Sequence, residues 1–188
     1  MTTEGMFSRI LVPTDFSEGS EKAWATAQRM ALSYGAELVL LHVLPGTPLD
    51  VEMRLEAEER KAELRSRQAE HQLGIPRADD EEAAPASRVF EGPFTRTTLR
   101  EFSPAGRAWA EMLETWATRA RLAGAKVRTV LRVGVPYREV LSEAKDSKVD
   151  LVLLATHGRG EIHRLLVGSV ADRVIRMAPC PVFTLKEA

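Results

Sequence analysis

Residues 126–155 read KVRTVLRVGVPYREVLSEAKDSKVDLVLLA, and the alternation of elements inside this stretch decides the fold. Lys126–Val133 is a strand-forming run, Pro136–Lys145 is helical, and Leu151–Ala155 (LVLLA) is a second strand. LVLLA is apolar without interruption, whereas a strand with one wet face alternates polar and apolar residues. A continuous run is what a parallel strand covered on both faces requires. Strand, helix and covered strand together make a crossover unit, which is right-handed almost without exception.

The same grammar extends outward in both directions. Upstream, Ile10–Val12 is a short apolar run closed by Pro13. Ser17 then opens a helix as N-cap, its pattern passing through Ala23, Ala27, Met30 and Ala31 until Gly35. Glu37–Val43 (ELVLLHV) follows as a strand. Ser103-Pro104 starts a helix whose apolar stripe runs through Trp109, Leu113, Trp116, Ala120 and Ala123 to Gly124. Downstream, Ile162–Met177 reads as helix and Pro181–Leu185 as a last strand. Five strands alternating with four helices predict an α/β fold: a doubly wound, Rossmann-like parallel sheet of order 3-2-1-4-5 with helices on both faces.

Residues 46–102 break this rhythm. Leu49–Leu73 is a charged helical stretch with i,i+4 pairs Glu56–Arg60 and Glu63–Arg67. From Gly74 to Phe102 the chain turns to prolines, acids and scattered aromatics, which reads as a flexible loop. The expectation is one domain over 1–188 with residues 46–102 inserted into it.

Composition excludes several classes of function. The 26 Lys and Arg against 27 Asp and Glu leave a net charge of −1, so no bulk field draws the chain to nucleic acid or an anionic membrane. No apolar stretch approaches the roughly 20 residues that cross a bilayer. Cys180 is the sole cysteine, so no internal disulfide forms, and the N-terminus lacks a signal-peptide pattern. The expected location is cytoplasmic.

Ligands of open α/β sheets sit outside the carboxyl ends of the strands, where the strand order reverses. The loop after the first strand is Pro13-Thr14-Asp15-Phe16-Ser17; the one after the fourth is Ala155-Thr156-His157-Gly158-Arg159-Gly160. Glycines 158 and 160 let backbone N–H groups approach an anion, and a helix N-terminus adds to that attraction. Gly168-Ser169 supplies a second point of contact, and Arg159 and Arg164 can screen remaining charge. Without Gly168-Ser169, the two glycines would be read as a turn alone. Asp15 either caps the first helix or touches a ligand. His157 and His163 lack the spacing of helix-borne metal ligands, and Cys180 between prolines reads as a small buried hydrophobe. Trp109 and Trp116 read as core.

Gly158, nine residues, then Gly168-Ser169 resembles the nucleotide motif of the universal stress protein family, whose ATP-binding members carry glycine where this chain has Ala155. The resemblance extends to Val12–Ser17, Leu40–Val43, Gly134-Val135-Pro136 and Ala178–Val182, covering roughly residues 6–45 and 104–186. It implies ATP or another adenine nucleotide as ligand. Asp15 would lie beside the ribose or a phosphate-bound Mg²⁺, and Val43 would meet the adenine through its backbone. Gly158, Gly168 and Ser169 would hold the phosphates. Pro13, Thr14, Ala155, His157, Arg159, Gly160 and Val170 complete the candidate set. The Ala155 methyl implies weakened or shifted binding.

Competing functions lack their motifs. The first loop has no glycine for a dinucleotide fingerprint, and there is no P-loop and no nucleophile elbow. Three readings remain: an ATP-binding stress-response regulator acting through ligand-dependent partner interaction, a nucleotide-free dimeric interaction module, and a slow Mg-dependent ATP hydrolase. A regulator rather than a dedicated enzyme is expected. It would form a homodimer through the apolar last strand and engage an unknown protein partner, with no nucleic acid and no membrane insertion.

Overall fold

The computed structural model describes residues 6–45, 88–94, 104–156 and 168–186. Its elements are β1 (Arg9–Thr14), α1 (Glu18–Tyr34), β2 (Glu37–Pro45), β3 (Arg88–Glu91), α2 (Pro104–Leu122), β4 (Lys126–Gly134), α3 (Pro136–Asp146), β5 (Leu151–Ala155), α4 (Ser169–Met177) and β6 (Val182–Leu185). The sheet runs β3-β4-β2-β1-β5-β6. Five of these strands are parallel neighbours in the order that the pattern predicts.

The sixth, β3, is an addition. It pairs antiparallel with β4, from Arg88 opposite Val133 to Glu91 opposite Val130. It falls in the stretch read as a flexible loop; RVFE is too short to stand out as a strand, and its partner supplies the ladder. The charged helix expected over Leu49–Leu73 lies outside the described residues.

Two boundaries also move. β1 continues through Pro13 to Thr14 instead of stopping at Val12. Successive residues of a strand turn their backbone groups to opposite neighbours, and the Arg9 carbonyl accepts from Asp150 N–H at 3.0 Å on the β5 side. Pro13 therefore faces β5 as well, but β1–β5 pairing ends at Leu11 while β1–β2 pairing runs on to Thr14. The proline deletes no ladder bond, because its side of β1 has already parted from β5. The helix expected over Ile162–Met177 begins, in its described part, only at Ser169, with Gly168 in extended backbone (φ −57°, ψ 148°) as N-cap.

Alternation along each strand feeds two cores. Ile10, Val12, Leu38, Leu40, Leu131, Leu151 and Leu153 pack with α1 and α2; Leu11, Val39, Leu41, Val130, Val152 and Leu154 pack with α3 and α4. α1 is closed as its residues dictate. The Ser17 side chain accepts from Ser20 N–H at its start, and Gly35 ends it at φ 72°, where a side chain would be strained.

Polar anchors then set the two helical layers against the sheet. On one face the Glu114 carboxylate of α2 accepts from Thr129 Oγ1 at 2.5 Å, from Arg121 Nη1 at 2.7 Å and from Phe94 N–H at 3.3 Å. On the other, Arg132 of β4 is buried and meets Glu143, Asp146 and Glu139 of α3, the first two at 2.7 Å and the third at 3.4 Å. Burial opposes the Arg132 charge, yet hydrogen bonds to Asp146 and Glu143 outweigh it and raise the guanidinium pKa above its ordinary value. A charge this deep is stable only with its partners in place.

Candidate functional site

The strand order reverses at β1, whose neighbours β2 and β5 connect to opposite helical layers. Past Leu11 the carboxyl ends of β1 and β5 separate, and a cavity of about 490 Å³ opens there. That volume lies within the range of small-ligand sites.

Of the expected residues, Pro13, Thr14, Asp15, Val43, Ala155, Gly168, Ser169 and Val170 all line this one cavity. His157, Gly158, Arg159 and Gly160 lie outside the described residues. The ends of their loop are nevertheless held together: Gly168 N–H donates to the Thr156 carbonyl at 2.7 Å, and Thr156 N–H donates to the Leu185 carbonyl at 2.9 Å. Residues far apart in the motif thus share a wall.

Three helices contribute their first turns to the lining: Ser20 from α1, Pro136 from α3, and Ser169 and Val170 from α4. Each helix N-terminus carries partial positive charge; Ser20 N–H is already taken by Ser17 Oγ and Pro136 has no N–H, so among these lining residues the backbone donors belong to the start of α4. Val135 and Gly168, the N-cap residues of α3 and α4, have no side chain able to accept a hydrogen bond. The cavity is therefore suited to an anionic group. Leu41, Val43, Val140, Leu154, Ala171 and Val174 give it an apolar wall on the α3–α4 side, and Thr14, Asp15, His42 and Thr156 add polar groups.

Asp15 is held in a definite geometry. Its Oδ1 accepts from Ser20 Oγ at 2.6 Å and from Ser17 N–H at 3.0 Å. Ser17, not Asp15, is the N-cap of α1, so Asp15 supports the turn from outside the helix while bordering the cavity. Among the described lining residues it is the only carboxylate.

Of the lining residues that sequence reasoning missed, three bear on the chemistry of the site. Ser20 is one helical turn past the cap; it lines the cavity and bonds Asp15. His42, treated as strand interior, is buried at the wall and donates from Nδ1 to the Thr14 carbonyl at 2.7 Å. Trp109 and Trp116 both pack on the α1–α2 core as expected, and Trp109 borders the cavity as well. A helical stripe assigns an indole to the inner side of a helix but not to the open end of a sheet. Cys180 is half-buried rather than buried; burial, then the nearby Asp150 charge, pushes its thiol pKa up, away from reactivity.

Fold and cavity together define a doubly wound α/β domain whose site lies at the carboxyl edge of its sheet. The universal stress protein family model matches residues 6–186, and the chain belongs to that family. Universal stress protein MJ0531 of Methanocaldococcus jannaschii is 27% identical over 184 residues, covering 98% of this chain and 85% of its own. Among solved structures, MJ0577 superposes with a TM-score of 0.61 at 24% identity, covering 97% of this chain and 98% of its own. A universal stress protein solved in complex with cAMP superposes at 0.56 with 18% identity, covering 95% of this chain and 96% of its own. Among the described residues, no helix is long and apolar enough to cross a membrane.

Proposed function

We propose that this chain is an adenine-nucleotide-binding regulator, with ATP as the first candidate ligand, whose occupancy sets its affinity for a protein partner. The observation that carries the reading is one cavity at the carboxyl edge of the sheet that draws lining residues from the first turns of three helices and apolar side chains from the α3–α4 layer. Such a site matches a molecule with an anionic end and a flat apolar end. The cAMP complex of a structural relative supports the same ligand class. In this reading Asp15 borders the ribose or a Mg²⁺ carried by the phosphates, and Ser169 with the α4 N-terminus meets the phosphates. Val43 meets the base. The Ala155 methyl narrows one approach.

A homodimer through β6 belongs to the same proposal. Phe183 is 45% exposed on this edge strand, and Ile175 and Met177 of the preceding helix are exposed as well. An open apolar edge favours pairing with a second copy, which closes both edges.

The test is to denature the purified protein and chromatograph what it releases, then to titrate stripped protein with ATP and AMP. Released or titratable adenine nucleotide is expected, with Gly168→Val losing it while retaining its far-UV circular dichroism. Absence of both release and titratable binding would leave the nucleotide-free interaction module as the better account.

A further inference from the structure

The cavity has two unlike walls. One is aliphatic and belongs to the α3–α4 layer; the other is aromatic and is made by His42 and Trp109. Trp109 sits on α2, whose core residues Ala110, Leu113 and Ala120 bury it against the opposite face of the sheet. Its indole is half-buried.

The ring is held by its neighbours. Phe16 stacks on it with centroids 5.5 Å apart and planes 14° from parallel, and His42 lies 4.8 Å away at 34°. Phe16 and His42 are themselves 5.0 Å apart, so the three rings brace one another. Trp116 closes the far side of Phe16 edge-on at 5.1 Å. His42 is tied by its Nδ1 hydrogen bond to Thr14.

Phe16 occupies this position at a conformational cost. Its φ is 60°, a region that bulky residues rarely adopt, and its N–H is held by Thr14 Oγ1 at 2.9 Å. Strain of this kind persists only where the surroundings over-determine it, and it concentrates at ligand sites. Here the strained residue is buried and stacked on Trp109, and it follows Asp15, which lines the cavity.

Resting on the nucleotide reading above, we propose that Trp109 is the base-contacting residue that sets the preference of this site for purines over smaller or non-aromatic groups. An indole braced by Phe16 and His42 where it lines the cavity is a rigid aromatic contact whose ordering cost has been met before binding, and aromatic contact discriminates by the area of the base. The opposing aliphatic wall completes a slot, while the helix N-termini handle the anion.

Wild type, Trp109→Phe and Trp109→Leu, each checked by far-UV circular dichroism, are titrated calorimetrically with AMP and with ribose 5-phosphate, which lacks the base. Tryptophan fluorescence is followed in parallel. Trp109→Leu is expected to weaken AMP by about 5- to 150-fold, the range spanned by aromatic–base contacts, and to leave ribose 5-phosphate unchanged. Trp109→Phe should retain most AMP affinity but lose the AMP-dependent fluorescence change. Equal losses for AMP and ribose 5-phosphate in Trp109→Leu would mean a structural role and overturn the proposal, as would undiminished AMP affinity or a persisting fluorescence response in Trp109→Phe. In those cases binding of AMP to wild type keeps the nucleotide reading intact. Failure of wild type to bind AMP and ATP alike overturns both.

Discussion

Replacing Glu114 with glutamine removes one charge from the junction of α2, β4 and the segment ending at Phe94, and changes little in shape. Glutamine keeps an oxygen for Thr129 and Phe94 but turns an NH₂ group toward Arg121, where Glu114 Oε2 now makes a 2.7 Å ion pair. A hydrogen bond to a charged group contributes about 1.5–3 kcal/mol. The Arg121 side chain is 32% exposed, so water screens part of that, and the expected loss at pH 7 is about 1–2 kcal/mol. For a domain of this size the melting temperature should fall by about 2–8 °C. Burial pushes the Glu114 carboxyl up, but the hydrogen bonds from Arg121 and Thr129 and the Arg121 charge together leave it below its ordinary value. A depressed folded-state pKa gives stability that is fully present above the unfolded value of about 4.3 and is lost as pH falls through the folded one. Urea unfolding of wild type and variant at pH 7, 5 and 4 should therefore show a gap that is constant from 7 to 5 and begins to close at 4. A gap that is absent at pH 7, or that widens on acidification, would refute the assignment of this carboxylate as a charged anchor.

Gly92→Ala should destabilise by about 1–3 kcal/mol in the same urea assay, since its Cβ would lie 1.9 Å from Thr129 Oγ1 and 2.6 Å from Glu114 Oε1. An effect within error would show that these side chains yield freely. Arg132→Met should cost about 1.5–3 kcal/mol by removing one of the two guanidinium partners of buried Glu143, which keeps Arg128 Nη2 at 3.1 Å, while Arg132→Met/Glu143→Leu should recover part of it; a double variant no better than the single one would discount the charge argument. Phe183→Lys should convert the proposed dimer into a folded monomer by light scattering, and a variant that remains dimeric would place the interface elsewhere.

The sequence alone determined the fold class, the order of the five parallel strands and the loops that hold the candidate site. Uninterrupted runs such as LVLLA can be stable only between two helical layers, and glycines and caps punctuate the helices locally. Asp15, Ala155, Gly168 and Ser169 were legible as cavity lining because the carboxyl edge of a parallel sheet follows from chain direction and spacing within a loop is a property of the chain itself, whereas Val43 came from the family resemblance. Tertiary structure decided what depends on partners distant in sequence. β3 exists as a strand because β4 offers it a ladder, and Pro13 is tolerated inside β1 because β5 has already turned away. Arg132 is a deep anchor only through the α3 carboxylates, and a charged residue in a strand carries no mark of that burial. Trp109 shows the same limit most clearly. Its helical stripe points it at the core, where it packs, but whether it also reaches an open cavity depends on where the strands beneath it end, and that register is a property of the assembled sheet.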